Sequence, residues 1–169
     1  MPSDDSADDL SSAPAGDARQ IFQRVSIPVA YKVGYISNSF REPSFRTIET
    51  DYGLSRPETL VLIFLGEIDG ATASEICENS GHLKNNISRA VTGLESKGLI
   101  RRLASADDQR RQHLHLTRRG RDLLRKFMPR LQQREVAMMK SLTQAEYAIF
   151  NELLGKVCAA VPQWRDERF

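Results

Sequence analysis

The stretch from residue 83 to residue 117 changes its apolar period, and this constrains the fold more than any other feature. Apolar residues recur at helical spacing within 83–97: Ile87, Ala90, Val91 and Leu94. This spacing predicts a helix with one buried face, and Gly98 is expected to end it in the left-handed conformation. Residues 99–103 and 112–116 then alternate between apolar and polar, which is the period of a strand. The sequence therefore predicts a helix followed by a β-hairpin.

Three helix starts carry capping boxes, in which a Ser or Thr is followed three residues later by Glu. The boxes run from Ser55 to Glu58, from Thr72 to Glu75 and from Thr143 to Glu146. In a capping box the hydroxyl oxygen accepts an N–H of the first helical turn, and the carboxylate accepts the N–H of the capping residue. The boxes predict helices near 56–69, 73–79 and 144–161.

Proline interrupts two other segments of helical spacing. The first predicts a helix over 27–41 that ends at Glu42–Pro43, because the residue before a proline is disfavoured in helical geometry, and then a short helix over 45–52. The second, capped by Thr117, predicts a helix over about 118–140. Pro129 should kink or split this helix, because proline lacks the N–H that the helix interior requires.

Charge is distributed unevenly along the chain, although the net charge is only +2. Residues 1–20 carry five acids and one base and few large apolar side chains, so we expect a disordered acidic tail. Residues 84–130 carry 13 basic and 4 acidic side chains, a net charge of +9. Positive charge of this density in a folded segment favours a polyanionic partner.

The composition argues against membrane and disulfide-rich classes. The longest apolar run, Leu60 to Leu65, has six residues, whereas roughly 20 are needed to cross a bilayer. The acidic N-terminus lacks the apolar segment of a signal peptide. The two cysteines, Cys77 and Cys158, are 81 positions apart and both are expected to be packed, which fits a reducing cytoplasm. We therefore expect a cytoplasmic protein without a membrane partner.

The predicted elements follow the order of a helix-turn-helix with a hairpin wing. A helix about 10–12 Å wide fits the major groove of DNA. On the polar face of 83–97, Asn85 and Asn86 suit adenine, and Lys84 and Arg89 suit guanine or phosphate. The hairpin tip can enter a minor groove, where a narrow A·T tract attracts arginine. The order of elements thus favours a mainly α fold with a small β-hairpin that binds double-stranded DNA.

Four sequence motifs stand out in this region: Ile87-Ser88-Arg89, Leu94 to Arg102, Asp108-x-Arg110-Arg111 and Leu114-x-Leu116-Thr117-x-x-Gly120. Together they resemble the MarR family of bacterial transcriptional regulators, over about residues 22–161. The resemblance implies a winged helix-turn-helix plus a helical dimerisation domain. It divides the chain into the tail, a helical dimerisation region of 21–54 and 118–169, and a DNA-binding domain of 55–117.

The resemblance also implies which residues contact DNA. The contacts of the family's recognition helix match Lys84, Asn85, Asn86, Ser88 and Arg89. The wing-tip arginine matches Arg110, the aspartate that braces it matches Asp108, and Arg111 adds a further base at the tip. The family's polar helix cap is replaced by Leu83, which would delay the start of the helix. In a homodimer, two recognition helices roughly 34–36 Å apart would bind a pseudo-palindromic operator.

Function follows from the same resemblance: a regulator, expected to be a repressor, that a small ligand releases from DNA. The ligand-binding set falls on Tyr31, Tyr35, Phe40, Arg46 and Phe64. Apolar walls and one cation would suit an aromatic acid or its thioester. An ordinary role in the core is the alternative interpretation of each of these aromatic residues.

Two alternative functions stay open from sequence. One is a winged-helix protein-interaction module with an acidic partner, which a weak dependence on salt would distinguish from DNA binding. The other is a metal- or redox-responsive regulator of the same fold, although the cysteines and histidines lack the spacing of a zinc motif. The sequence holds no GxSxG, no phosphate-binding Gly-rich loop and no HExxH, so we expect neither an enzyme nor a cofactor.

Overall fold

The computed structural model describes residues 20–104 and 111–168. The helices that these residues form are α1 (Ile21–Arg24), α2 (Pro28–Tyr52), α3 (Arg56–Glu67), α4 (Ala73–Ser80), α5 (Lys84–Ser96), α6 (Arg118–Met139), α7 (Gln144–Ala159) and α8 (Val161–Trp164). The strands are β1 (Ile100–Ala104) and β2 (Gln112–Leu116), which pair antiparallel with Ile100 opposite Leu116. The expected fold class, mainly helical with one small hairpin, is confirmed. Residues 1–19 of the expected tail lie outside the described residues.

The chain divides into two compact units, residues 1–39 and 40–169. In the first unit, α1 places the ring of Phe22 beside two tyrosines. The centroid distances are 5.9 Å to Tyr31 and 4.9 Å to Tyr35, and the second contact is edge-on. Edge-on aromatic pairs are favourable because the positive ring edge meets the negative ring face. This short helix was missed by the sequence analysis.

The core of the second unit lies between the helices α3, α4 and α5 and the hairpin. Its fully buried side chains include one or more from each element: Leu62, Leu65, Ile76, Ile87, Leu94 and Leu114. Phe127 of α6 is also fully buried and lies 6.2 Å from the ring of Tyr52. Burying each such side chain stabilises the fold by roughly 1.5–3 kcal/mol, so this core fixes where the exposed face of α5 points.

The predicted break at Glu42–Pro43 is wrong, because α2 is continuous from Pro28 to Tyr52 with Pro43 inside it. Proline inside a helix costs about 3 kcal/mol, since it cannot donate to the carbonyl four residues earlier. Burial of Phe45 and Ile48 immediately after the proline favours the helical path. The hydroxyl of Ser44 also donates to the carbonyl of Phe40 at 2.6 Å. Packing in this segment outweighs the local preference.

Pro129 does not split its helix either, because α6 runs unbroken from Arg118 to Met139. Phe127 and Leu131, two residues to either side of the proline, are both buried and hold the helix against the core. No helix among the described residues is long and apolar enough to span a membrane.

Candidate nucleic-acid interface

Helix α5 has one buried and one exposed face, as its spacing predicts. The apolar residues Ile87, Ala90, Val91 and Leu94 are buried. All five predicted DNA contacts on this helix are exposed: Lys84, Asn85, Asn86, Ser88 and Arg89. Leu83 is the N-cap and makes no side-chain capping hydrogen bond, yet the helix begins directly after it, at Lys84. The absent polar cap therefore does not delay the helix.

An ion pair between partly exposed Lys97 and buried Glu58 holds the C-terminal end of α5. The Nζ atom of Lys97 donates to both carboxylate oxygens of Glu58 at 2.7 and 2.8 Å, and to the carbonyl of Gly53 at 2.8 Å. Glu58 also accepts the backbone N–H of Ser55 at 2.8 Å, as the capping box requires. The ion pair thus joins α5 to the start of α3 and to the residue after α2.

The electrostatics of Glu58 follow from these contacts. Burial acts to raise the pKa of this carboxyl, but the hydrogen bonds from Lys97 and Ser55 outweigh burial and hold the pKa below its ordinary value. Glu58 is therefore an ionised carboxylate inside the fold. The capping box identified Glu58 from sequence, but nothing in the sequence indicated that Lys97 would be its partner.

The predicted residues of the wing are only partly described. Asp108 and Arg110 lie outside the described residues. Arg111 is exposed but is not free, because its guanidinium lies 3.0 Å from the carboxylate of Glu75 in the capping box of α4. On the other strand, Arg102 lies 3.0 Å from Glu95. Salt bridges therefore tie β1 and the residue before β2 to the helices.

A loop after α3 holds the second strand of the hairpin in place. Asp69 accepts the backbone N–H of Leu116 at 3.0 Å and contacts Nδ1 of His115 at 3.0 Å. The Nδ1 atom of His113 lies 2.6 Å from the carbonyl of Gly70. Burial acts to raise the pKa of Asp69. The contacts with His115 and Leu116 lower the pKa by more than burial raises it, so the pKa lies below its ordinary value. Both histidines alternate with the buried residues of β2 and therefore share one face of the hairpin.

Replacing Asp69 with alanine should loosen the base of the wing. Leu116 is buried, and its N–H would lose its acceptor, which costs about 1–2 kcal/mol. We expect faster hydrogen exchange at the Leu116 amide. Asp69→Asn is the matched control, because its amide oxygen can still accept this N–H. Equal protection of Leu116 in Asp69→Ala and in the native protein would contradict this role.

The residues of the expected ligand site are distributed over both units. Tyr31 and Tyr35 lie in the first unit beside Phe22. In the second unit, Phe40 and Phe64 are half-buried against the core. Arg46 is largely exposed and lies 3.5 Å from Glu42.

The second unit also contains a groove of about 460 Å³ between α2 and α6. Ile48 and Leu131 supply apolar lining, and Ser44, Arg130 and Arg134 supply polar groups. Of these, Arg130 is engaged by Asp51. This groove was not identified from sequence, because its lining residues come from segments about 80 positions apart.

The cysteines differ from each other in burial. Cys77 is half-buried against the core, where burial raises the pKa of its thiol. A raised pKa lowers thiolate content and reactivity. Cys158 is exposed, so the expectation that it would be packed is wrong for this chain. The reason is that α7 has no buried residue in the described structure. Among the described residues, no cluster of His, Cys, Asp and Glu could hold a metal ion.

These features define the class of protein. Helices α3 to α5 and the hairpin form a winged helix-turn-helix, and the exposed face of α5 presents cationic and amide side chains suited to base edges and phosphates.

The comparisons with known proteins agree. A family model described as MarR family matches residues 52–111. The HTH-type transcriptional regulator MgrA of Staphylococcus aureus is 30% identical over 118 residues, which are 69% of this chain and 78% of MgrA. A MarR family regulator from Listeria monocytogenes, solved in complex with a 26mer DNA, is 18% identical with a TM-score of 0.74, over 83% of this chain and 98% of that one. PcaV from Streptomyces coelicolor, solved with its natural ligand, is 21% identical with a TM-score of 0.65. This match covers 83% of this chain and 96% of PcaV.

The chain belongs to the MarR family and is a DNA-binding transcriptional regulator. The relatives are transcriptional regulators, which confirms the interpretation that this protein is not an enzyme.

Proposed function

We propose that this regulator is a homodimeric repressor that binds a pseudo-palindromic operator in the cytoplasm and is released by a small ligand. The observation that carries the proposal is the exposed face of α5. Neither Lys84 nor Arg89 has an ion-pair partner among the described residues, whereas the cations near the other end of the helix, Lys97 and Arg102, are paired. Unpaired cations keep their charge available for DNA.

The residues of this face have distinct proposed roles. Asn85 and Asn86 suit the donor and acceptor pair of adenine, and Arg89 suits the two acceptors of guanine. Ser88 is small enough to let the helix backbone approach the bases, and Lys84 suits a phosphate. Arg110, braced by Asp108, is proposed to enter the minor groove. This role rests only on the Asp108-x-Arg110-Arg111 motif. Arg111 is proposed to contact a phosphate while Glu75 orients it.

Exposed apolar side chains support the dimer. On α7, Ile149 is 58% exposed and Leu153 is 54% exposed. In the first unit, Val29 is 73% exposed and Val33 is 52% exposed. Contiguous apolar surface of this kind marks an interaction site. We propose that a second copy of the chain covers both surfaces, with 21–54 and 118–169 forming the dimerisation region.

The ligand is proposed to be an aromatic acid or its thioester. Support comes from the half-buried rings of Phe40 and Phe64, and from PcaV, a fold relative solved with its natural ligand. Arg46 is proposed as the cation that binds the acid group. Tyr31 and Tyr35 are proposed as further ligand-binding residues. A ligand lowers DNA affinity only by binding the DNA-incompetent shape of the dimer more tightly than the competent one.

Selection of duplexes from a random DNA pool tests the proposal. We expect enrichment of an inverted repeat whose half-sites are one helical turn apart. Arg89→Ala should then weaken binding about 5- to 150-fold, the equivalent of about 1–3 kcal/mol, and relax the preference at one base of each half-site. Arg165→Ala, which removes one charge from the C-terminal segment, is the control. A folded protein that enriches no sequence, or an Arg89→Ala variant whose affinity and base preference both equal those of the native protein, would contradict the proposal.

A further inference from the structure

Basic side chains of the second unit fall into paired and unpaired groups. The paired residues each lie within 4.0 Å of a carboxylate: Arg46, Arg56, Lys97, Arg102, Arg111, Arg125, Arg130, Lys156 and Arg165. Among residues 40–104 and 111–168, Arg118, Arg119 and Lys126 have no such partner. All three are exposed and belong to α6, whereas the DNA contacts proposed above belong to α5 and the hairpin.

These three cations line one groove of about 770 Å³. The groove lies where the end of α2, the residues after α5 and the first three turns of α6 meet. Its apolar part is supplied by Tyr52, Leu99 and Leu123. Concave sites of roughly 300–1,000 Å³ with apolar walls and a few polar groups are typical of small-molecule sites. The size and lining of the groove therefore fit a ligand that has both a ring and charged groups.

Among the residues that the structure describes, no free carboxylate balances the positive charge of the groove. Asp122 also lines it, but Arg125 already engages that carboxylate. Lys97 lines it too, but Glu58 neutralises its charge. Arg118, Arg119 and Lys126 therefore contribute three positive charges that no carboxylate of residues 20–104 and 111–168 pairs with.

The spacing of the cations indicates the shape of the anion. Arg119 and Lys126 are seven residues apart, which places them on one side of α6 about 10 Å apart along its axis. Arg118 flanks Arg119 on the side of the groove. Guanidinium groups bind phosphate through paired N–H donors, and lysine binds it as a point charge. Three cations over this distance match an anion with at least two negative charges.

We propose that this groove binds a small phosphorylated ligand with two or more negative charges, at a site separate from the exposed face of α5. The phosphate groups contact Arg118, Arg119 and Lys126, and an attached ring packs against Tyr52 and Leu123. Leu99 follows α5 closely and lines the groove, so the ligand touches the segment that leaves the recognition helix. This site is independent of the effector proposed above.

Calorimetric titration of the full-length, DNA-free protein with inorganic pyrophosphate and with adenosine diphosphate tests the site. We expect saturable binding of one molecule per chain, with tighter binding of the diphosphate that carries a ring. Arg119→Ala/Lys126→Ala should weaken both at least tenfold. Lys140→Ala/Arg165→Ala, which removes the same charge elsewhere, should leave both unchanged. Thermal unfolding of each variant verifies that it is folded.

Two outcomes would overturn the proposal. The first is that neither anion binds saturably, or that both double variants weaken anion binding equally. Either result means that only the net charge of the protein attracts the anion. The second involves DNA, whose backbone offers the same phosphate chemistry. If Arg119→Ala/Lys126→Ala reduces the salt dependence of DNA binding by about 0.9 per lost phosphate contact, and pyrophosphate does not bind, the groove holds the duplex. If this variant still enriches the same inverted repeat, operator binding by the exposed face of α5 is intact. Failure of the groove proposal can then be told apart from failure of the proposed function.

Discussion

Replacing Lys97 with methionine should lower the free energy of unfolding at pH 7 by about 2–3 kcal/mol. Removing one partner of a buried ion pair typically costs about 3–5 kcal/mol, because the other charge is left without compensation. Glu58 is only 6% exposed. The Lys97 side chain is 39% exposed, so water reaches the vacated position and the cost falls below that range. Urea unfolding at fixed protein concentration measures it.

The loss should depend on pH in a defined direction. The pKa of Glu58 is lowered in the folded protein, so its contribution to stability is present above the pKa of the unfolded chain and is lost as the pH falls through the lowered folded value. Without Lys97, only the hydrogen bonds with Ser55 oppose the effect of burial, so the pKa of Glu58 is higher than in the native protein. The difference between the two proteins should therefore shrink between pH 7 and about pH 4. A difference that stays constant over this range would contradict the role of the pair.

Arg46→Ala is the control for the Lys97 experiment. It also removes a cation from a carboxylate, but this pair is exposed, with an atom separation of 3.5 Å. Exposed pairs contribute little because water screens them. We expect its unfolding curve to overlay that of the native protein at both pH values.

Alanine at Gly120 should destabilise the fold by about 3 kcal/mol. A Cβ atom there would lie 2.1 Å from the carbonyl oxygen of Leu99, which is backbone and cannot rotate away. That carbonyl also accepts the backbone N–H and the hydroxyl of Thr117 at 3.0 and 3.1 Å. Relieving the clash moves the start of α6 from the hairpin and breaks these bonds, a combination of overpacking and lost hydrogen bonds. Thermal or urea unfolding measures the loss.

Gly155→Ala is the matched control, because no atom of the described residues outside the helix's own backbone lies within 4 Å of a Cβ atom at that position of α7. Alanine is favoured over glycine inside a helix by up to about 1 kcal/mol. We expect this variant to be unchanged or slightly more stable. If Gly120→Ala were as stable as Gly155→Ala, the close approach of α6 to Leu99 would not be essential to the fold.

Local chemistry explains which elements could be predicted from the sequence. All three capping boxes form, with both reciprocal hydrogen bonds present. Gly98 has a φ of +67°, as expected of a glycine that ends α5. These features depend on residues three or four positions apart, so the sequence displays them directly.

The errors came from segments where packing opposes a local preference. Pro43 and Pro129 both lie inside continuous helices, each close to buried side chains such as Ile48 and Phe127. The local preference of proline does not include the energy of that burial, because the residues that bury these side chains lie far away in the chain. Cys158 was expected to be packed for the opposite reason: an apolar stripe on α7 indicates that the helix needs a partner, but not that the partner lies within the same chain.

The sequence by itself determined the order of elements from α3 to α7, the two faces of α5 and the family, because periodicity, capping residues and motif spacing are local properties. Only the tertiary structure decided which charges remain available. It pairs Lys97 with Glu58 across 39 positions and Arg111 with Glu75 across 36, and it leaves Arg118, Arg119 and Lys126 together in one groove. Ion pairing depends on distances in space, and folding sets those distances by burying an apolar core that carries no information about charge.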